Sequence, residues 1–342
     1  MLHLPVRGET EDQPLASMLA ADYDLEAVAI ESGESHYTIF TPEAVFQLHY
    51  DSPVEETLSM LQCWDYLQVH GFSEIWPLRV TAVGDLGVYL DDHIGYMTAR
   101  SGGRPGELGL RADAVMAAKV LAKLHLLSQE LPVSVREGLD KAPPIRPNLA
   151  RRREELELFR TMALHRLFPR AFDLLFLKVY EYAACQAARS MDVLAQIDID
   201  QLENQPELGG LLQGKCHGRS FWATDEGKMQ LPHLQGSTWG LLAQDTVSLI
   251  TNVGNYTEWS LSTAHRVLSA YQGIRPLQHV ELMTIYGLGI FPRGIWDTAY
   301  DYYKGNRKRD EPEALEALRE EWQRAVLQRE YWQWLLGDEL GV

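Results

Sequence analysis

The sequence predicts an α+β protein with two parts, a small antiparallel sheet followed by a larger and mainly helical region. With 342 residues the chain is too long for one ordinary hydrophobic core and suits two lobes. Short strand-like runs separated by turn residues dominate the first hundred residues, and amphipathic helical patterns dominate from Ala112 onward. We therefore expect an N-terminal lobe at residues 1–100 and a C-terminal lobe at residues 101–342.

Composition and charge exclude several classes of function. The formal net charge of −17 argues against a general nucleic-acid binder and against binding to an anionic membrane surface. No run approaches the roughly 20 apolar residues of a membrane span, and residues 1–13 lack the apolar core of a signal peptide. Three scattered cysteines are too few for a disulfide framework or a zinc site, so we expect a reduced, intracellular protein.

The N-terminal lobe is predicted from alternating strand patterns around one strong helix. Gly71 is expected to end that helix as its C-cap, because glycine adopts the left-handed conformation that helix ends favour. Met97, Thr98 and Ala99 are expected to lead into a flexible crossing, where a hinge backbone could hold adenine. The predicted helices lie at 14–24 and 53–69, and the predicted strands lie at 26–30, 35–40, 45–50, 75–82, 88–90 and 94–98.

The C-terminal lobe is predicted to consist of long helices around one short hairpin. A proline-rich connection covers 131–148, and Pro169 is expected to interrupt a helical stretch at 149–197. The LAKLHLLS phrase at 121–128 is, by itself, equally explained by an amphipathic helix with one buried histidine. The other predicted helices cover 114–128, 256–272, 275–290, 294–304 and 313–336.

The segment 214–250 carries the residues that bear on chemistry. A strand-like Lys215-Cys216 leads into His217, Gly218 and Arg219. The turn signal DEG at 225–227 and the run 228–231 then predict a short hairpin.

The order of these phrases along the chain resembles that of a known group of proteins. The phrases are Gly71-Phe72 after a helix, Gly102-Gly103 at a crossing, LAKLH at 121–125, Cys216-His217-Gly218, a hairpin, Asp245, SAY at 269–271, RPL at 275–277, Phe291-Pro292 and Tyr302-Tyr303. This order is similar to that of the CotS/YutH-type spore-coat-associated proteins of the aminoglycoside phosphotransferase/choline kinase superfamily. The resemblance implies a two-lobed protein-kinase-like fold, spore-coat proteins as partners, and a location in the mother-cell cytoplasm and the spore coat.

The resemblance also implies where the catalytic groups of such a kinase would stand. The His-Gly-Asp base falls at Arg219, and the metal-binding asparagine falls at Thr224. The metal aspartate falls near His233, although Mg²⁺ prefers oxygen ligands. A guanidinium stays protonated and cannot act as a base. Asp245 stands where the superfamily places an aspartate that braces the catalytic loop.

The phosphate-gripping lysine of the third strand has no counterpart in this sequence. The candidate positions are Gln47, Leu48 and His49, and none is a lysine. Base, metal aspartate and sheet lysine are therefore all replaced. We accordingly expect a degenerate member, a pseudokinase that acts as a scaffold or binding protein, with no metal site and no cofactor.

Two alternatives remain open. The chain could be a small-molecule phosphotransferase that uses ATP and Mg²⁺ at an atypical site, with Asp225, Glu226 or Asp245 as oxygen ligands. His217, Arg219 and His233 could instead form a pocket for a phosphate or carboxylate that needs no metal. Equally, Arg219 could pair with Asp245 or another acid and only fix the loop.

Overall fold

The computed structural model describes residues 12–33, 36–50, 54–90, 93–202, 205, 207–214, 216–305, 310–337 and 340. By packing, the chain divides into two compact units. Unit 1 comprises residues 1–141 and 210–239, and unit 2 comprises residues 142–209 and 240–342. The expected lobes divide the chain by element type at residue 100. The units instead group the helix after residue 110 and the hairpin at 222–230 with the N-terminal sheet.

Unit 1 is organised around an antiparallel sheet. Its strands follow the order β1-β2-β3-β6-β4, and β5 pairs with β6 outside this path. Most predicted strands are confirmed, but the strand predicted at 26–30 lies at Ala29–Ser32, and the run at 75–82 forms only the two residues of β4. The strands are β1 (Ala29–Ser32), β2 (His36–Phe40), β3 (Val45–His49), β4 (Leu78–Arg79), β5 (Val88–Leu90) and β6 (His93–Arg100).

The two faces of this sheet differ in chemistry, because successive side chains of a strand point to opposite sides. One face is apolar and packs with Met18 and Leu19 of α1 (Asp12–Asp22) and with Tyr23, which follows that helix. The alternate positions on the other face are polar, and these side chains are nevertheless buried. The apolar set is Tyr37, Ile39, Phe46, Leu48 and Met97, and the buried polar-face set is Thr38, His49, Tyr96 and Thr98.

Helix α2 (Val54–Val69) ends as its sequence predicts. Gly71 has a φ of +91°, and the Phe72 N–H donates to the Leu67 carbonyl at 2.9 Å. This is the hydrogen bond of a Schellman motif, in which a glycine takes the left-handed position after the helix. The indole N–H of Trp64 in α2 donates to the Trp76 carbonyl at 3.0 Å, which attaches the helix to the segment before β4.

The rest of unit 1 contains short strands and two helices. The histidine of the LAKLHLLS phrase is part of the core, as expected for an amphipathic helix, because His125 is fully buried. In the same phrase, the Ser128 hydroxyl accepts from the Leu211 N–H at 3.0 Å. The strands order β10-β9-β7 in one small sheet, and β8 pairs with β11 in another. The elements are β7 (Gly103–Pro105), α3 (Arg111–Ser128), α4 (Val133–Glu137), β8 (Gly209–Leu212), β9 (Trp222–Thr224), β10 (Met229–Gln230) and β11 (Thr238–Leu241).

Unit 2 is helical. The break at Pro169 is confirmed, since one helix ends at Leu164 and the next begins at Ala171. The expected helix at 256–272 is wrong at its start, because Glu258 and Trp259 adopt positive φ and separate two helices. The helices are α5 (Ile145–Leu164), α6 (Ala171–Ala195), α7 (Ile199–Leu202), α8 (Ala243–Tyr256), α9 (Leu261–Gln272), α10 (His279–Ile290), α11 (Arg293–Tyr303) and α12 (Glu311–Trp332), followed by a π-helical turn at Gln333–Gly337.

Among the described residues, no helix is long and apolar enough to cross a bilayer.

Candidate functional site

The hairpin of unit 1 is fixed to the N-terminal sheet segment by backbone hydrogen bonds. Past β10, Leu231 forms a parallel bridge with Ile75. The Trp76 N–H donates to the Leu231 carbonyl at 2.9 Å, and the Leu231 N–H donates to the Glu74 carbonyl at 2.8 Å. This anchoring places His233, two residues further along, in a defined position.

The segment at 217–221 packs closely against the loop after β7. A 3-10 turn spans Gly218–Ser220, and the Gly106 N–H donates to the Phe221 carbonyl at 2.8 Å. A Cβ at Gly218 would overlap the Gly106 carbonyl oxygen. Gly218 is therefore required because its backbone lies against that of Gly106, and this requirement does not depend on any catalytic role of the neighbouring side chains.

Replacing Gly218 with alanine is expected to destabilise the protein by about 1–3 kcal/mol, because the added methyl group forces two backbone segments apart. Urea denaturation followed by tryptophan fluorescence would measure the loss. Gly227→Ala serves as a control with open space around the new methyl group, though its φ of +76° adds some strain. A Gly218→Ala variant as stable as the natural protein would contradict the packing argument.

Histidines from separate segments come together on the polar face of the sheet. His36 and His49 are direct cross-strand partners, with ring centroids 5.7 Å apart. The His49 ring also stacks on Tyr96, with a centroid distance of 4.7 Å. His233 is close enough to act electrostatically on His49, and His217 acts likewise on His233. These four side chains, His36, His49, His217 and His233, are called the histidine cluster below.

Burial and mutual repulsion favour the neutral form of His36, His49 and His233. The pKa of His49 is lowered to about 3, first by burial and then by positive charge on His36 and His233. The pKa of His233 is lowered first by burial and then by His217 and His36. Burial and the nearby Arg100 lower the pKa of His36. The three imidazoles are therefore neutral at pH 7.

Several buried polar atoms around the cluster have no hydrogen-bond partner among the described residues. His49 Nε2, the Tyr96 hydroxyl and the Thr98 hydroxyl lie on the polar face of the sheet, and His233 Nδ1 lies on the loop after β10. Native proteins pair nearly all buried polar groups, and exceptions are typical of catalytic or ligand-binding surfaces. The orphaned atoms identify this face as a candidate site.

The residues expected at the kinase positions are placed as follows. His217 and His233 lie in the cluster, and the Ser220 hydroxyl is 3.2 Å from His217 Nδ1. Arg219 is exposed, and its guanidinium forms no ion pair within the described part of the chain. The Thr224 hydroxyl accepts from the Lys228 N–H at 3.1 Å, so Thr224 stabilises the hairpin turn.

Asp245 lies in unit 2, in the first turn of α8, and is 1% exposed. A negative charge at this helix end is favourable, because the N-terminus carries partial positive charge. The bracing role expected from the resemblance remains a prediction.

The predicted strand at 94–98 is confirmed as part of β6, and a nucleotide-binding hinge at Met97, Thr98 and Ala99 remains a prediction. Met97, Thr98 and Ala99 lie inside β6, which pairs with β3 on one side and with β4 on the other. The Ala99 N–H already donates to the Pro77 carbonyl at 2.8 Å. Their backbone is largely committed to the sheet, so a crossing segment begins only at Ser101.

The carboxylates proposed for the enzyme alternative lie at another place in unit 1. Asp225 and Glu226 line a pocket of about 730 Å³, together with residues of α3 and Ser101. Glu226 pairs with Lys228 at 2.8 Å. Lys123 of α3 pairs with Glu74 in the same pocket. Neither His217, Arg219 nor His233 belongs to this lining.

The residues of the cluster do not fit Mg²⁺, because that ion prefers oxygen ligands and the cluster offers ring nitrogens. The described residues contain no group of three His, Cys, Asp or Glu side chains arranged to hold a metal ion. The orphaned donors of the sheet face do suit an anion, since hydroxyl and imidazole N–H groups are hydrogen-bond donors.

Sequence reasoning missed His36 and considered His49 only as a lysine position. The signal for both was present, since a polar residue recurs at alternate positions of two strand-like runs. The pairing of His36 with His49 depends on the register of the two strands, and local sequence patterns do not determine that register.

Comparison with solved structures identifies the fold. The chain superposes on an aminoglycoside phosphotransferase from Alicyclobacillus acidocaldarius subsp. acidocaldarius DSM 446 with a TM-score of 0.83 and 18% identity, over 99% of this chain and 98% of that one. The spectinomycin phosphotransferase APH(9)-Ia, in complex with ADP and spectinomycin, matches with a TM-score of 0.66 and 15% identity, over 95% and 99% of the two chains.

Choline kinase LicA from Streptococcus pneumoniae matches with a TM-score of 0.53 and 14% identity, over 94% of this chain and 99% of that one. No family model and no curated protein matches the sequence. The chain has the two-part fold of the aminoglycoside phosphotransferases and choline kinases, with an antiparallel N-terminal sheet and a mainly helical remainder. At these identities the likeness shows the fold alone.

Proposed function

We propose that this protein is a pseudokinase that binds a phosphate-bearing ligand in unit 1 without transferring phosphate through Mg²⁺. One feature of the sequence carries the proposal: where the resemblance places the catalytic base and the metal aspartate, this chain has a guanidinium, Arg219, and an imidazole, His233. Arg219 cannot accept the proton of an attacking hydroxyl. His233 offers nitrogen, a poor donor for Mg²⁺. Losing a general base alone lowers a rate by roughly 10²–10⁴.

A binding function is supported by the groups that remain. The buried polar face of the sheet offers orphaned donors at Tyr96, Thr98 and His49. Similar folds are known with ADP bound, as in the spectinomycin phosphotransferase complex, or with AMP bound. We extend nucleotide binding to this chain as part of the proposal. The resemblance to CotS/YutH-type proteins adds the further proposal that the partners are spore-coat proteins, which co-purification from coat extracts would test.

A second candidate is a small-molecule phosphotransferase, favoured by the activities named for proteins of the same fold. It would have to draw oxygen ligands from Asp225 and Glu226. Glu226 is engaged with Lys228, whereas Asp225 is exposed on the turn. This candidate predicts Mg²⁺-dependent binding of ATP at the pocket of the hairpin turn.

Titration with ATP, with Mg²⁺ or with EDTA, separates the two candidates. At about 100 times its dissociation constant a ligand stabilises the folded state by about 2.7 kcal/mol. For the pseudokinase we expect the same rise in melting temperature under both conditions, and no loss of γ-phosphate to water, aminoglycosides or choline above background.

A shift that requires Mg²⁺, together with phosphate transfer that Asp225→Asn abolishes, would establish the second candidate instead. Glu316→Gln, a change at an exposed carboxylate of unit 2, serves as the matched control. No shift with ATP under either condition would contradict nucleotide binding.

A further inference from the structure

We propose that the histidine cluster forms a metal-independent oxyanion site that takes up a proton when the anion binds. The inference rests on the proposed function, because it names how a phosphate-bearing ligand is recognised. It also goes beyond that function, because it couples binding to pH through residues that no kinase chemistry requires.

The first support is convergence. His36 and His49 are cross-strand partners on β2 and β3, 13 positions apart in the sequence and 5.7 Å apart between ring centroids. His233 follows β10, and His217 precedes the 3-10 turn at Gly218–Ser220. His36 and His49 thus share one face of the sheet, His233 acts on His49, and His217 acts on His233.

The second support is a bare ring nitrogen in a buried place. His49 is 6% exposed, and its Nε2 has no hydrogen-bond partner among the described residues. The hydroxyls of Tyr96 and Thr98 stand on the same sheet face and are also unpartnered. A hydroxyl can donate to an oxyanion, and an imidazole ring donates from both nitrogens only when it is protonated. These are the kinds of hydrogen-bonding group that bind the oxygens of a phosphate or sulfate.

The third support is the sign of the surrounding charge. In the part of the chain that the structure describes, the groups that act on His36, His49 and His233 are other histidines and Arg100, and all of them lower the pKa values of these three side chains. From β6, Tyr96 faces His49 as a neutral ring, because burial raises the pKa of its hydroxyl. Helix α2 contributes Trp64 against Tyr96, whereas its carboxylates Glu55 and Glu56 are exposed. Among the described residues, protonated His36, His49 or His233 therefore has no carboxylate partner until an anion arrives.

Binding and protonation are then linked. An oxyanion next to the cluster stabilises the imidazolium form and raises the histidine pKa values. By thermodynamic linkage, protonation raises the affinity for the anion by the same factor. Each proton taken up makes the affinity rise by up to about tenfold for each pH unit of acidification.

A transition-metal site is the competing explanation, because imidazole is a common ligand for Zn²⁺ and Ni²⁺. The described residues hold no group of three His, Cys, Asp or Glu side chains with metal-binding geometry. An oxyanion needs only donors around its oxygens and tolerates wider spacing. The geometry therefore favours the anion, and metal dependence becomes an outcome of the test.

The test is isothermal titration of the full chain with sulfate in the presence of EDTA at pH 7.5, 6.5 and 5.5. Sulfate is the probe because it remains a dianion throughout this range, whereas phosphate itself titrates. We expect the dissociation constant to fall about tenfold for each pH unit if one proton is taken up. Repeating the titration in two buffers of different ionisation enthalpy would count the protons directly, and we expect about one.

The matched variants are His49→Gln and His233→Asn in the cluster, with His265→Gln as the control. His265 is exposed on α9 of unit 2 and lies outside the cluster. Both cluster variants are expected to reduce proton uptake and to flatten the pH dependence, and the control is expected to leave both unchanged. Should His49→Gln fail to fold, His233→Asn still decides, because that side chain is only partly buried.

Three results would overturn the inference. They are a sulfate affinity that does not change with pH, a sulfate affinity that requires added Zn²⁺ or Ni²⁺, and unchanged proton uptake in both cluster variants. None of these affects ATP binding in EDTA at pH 7.5, so the pseudokinase proposal would survive them. Conversely, Mg²⁺-dependent phosphate transfer would overturn that proposal and leave the sulfate titration to be judged separately.

Discussion

Replacing Glu281 with glutamine is expected to destabilise unit 2 by about 3–5 kcal/mol, among the largest effects of any single change in this protein. Arg275 Nη1 and Glu281 Oε1 are 2.8 Å apart, and the two side chains are only 5% and 1% exposed. A buried pair adds little net stability compared with apolar residues. Removing one charge, however, leaves the other in the interior without a partner.

The surroundings of this pair make the loss hard to relieve. Arg275 Nη2 donates to the Glu207 carbonyl at 2.9 Å, and the Gln278 N–H donates to Glu281 Oε2 at 3.0 Å. The guanidinium is therefore tied to two places in unit 2 and cannot turn toward water. The RPL phrase of the sequence thus has a structural explanation in its arginine.

Thermal unfolding followed by circular dichroism would measure the effect, with an expected fall in melting temperature of roughly 10 °C on the scale of somewhat smaller domains. Glu316→Gln is the matched control, because Glu316 pairs with Arg319 at 3.0 Å on the surface, where both are more than half exposed. Exposed pairs contribute about 0–1 kcal/mol. A Glu281→Gln variant that behaves like the control would show that the pair is not buried as described.

The second large effect is a loss of stability in acid that originates in His49. Its folded-state pKa of about 3 lies below the unfolded value of 6.5. Between these values the unfolded chain binds the proton and the folded chain does not. The free energy of unfolding therefore falls as the pH drops below about 6.5, by about 1.4 kcal/mol for each pH unit.

Between pH 7.5 and 4.5 His49 alone is expected to lower the free energy of unfolding by about 3 kcal/mol. The lowered pKa values of His36 and His233 act in the same direction. Urea denaturation across this range, performed without sulfate or phosphate, would measure the slope. The absence of these anions matters, because their binding is expected to offset the loss.

The difference between the natural protein and His49→Gln isolates this contribution from carboxylates that titrate in the same range. We expect the variant to be less sensitive to acid, so that the two stability curves approach each other or cross as the pH falls. The His265→Gln control should keep the full slope. Parallel curves for His49→Gln and the natural protein would mean that His49 is not buried in the folded state.

Local patterns were sufficient for the elements of the fold. The alternation of polar and apolar residues predicts the strands of the first hundred residues, and helical periodicity predicts most of the later helices. Gly71 and Pro169 mark helix ends for reasons that lie in their own backbones. The helix break before Leu261 was not predicted. Glu258 and Trp259 have positive φ there, and neither residue type is one that usually adopts a left-handed backbone conformation.

The candidate site was predictable only in part. His217, Arg219 and His233 stand out in the sequence because the resemblance assigns chemistry to their positions. The sequence did not show whether these three residues lie close to a carboxylate. In the structure, Asp225 and Glu226 line a pocket whose lining does not include His217, Arg219 or His233. The backbone pairing of Met97 to Ala99 likewise depends on two neighbouring strands.

Composition and local periodicity thus decided the α+β class, most element boundaries and the glycine-capped helix. Three features depend on the tertiary structure: the pairing of His36 with His49, the burial of His49 Nε2 beside Tyr96, and the ion pair of Arg275 with Glu281. The physical reason is that helix and strand preferences act between residues a few positions apart. Charge, burial and pKa depend on partners that folding brings together from distant parts of the chain.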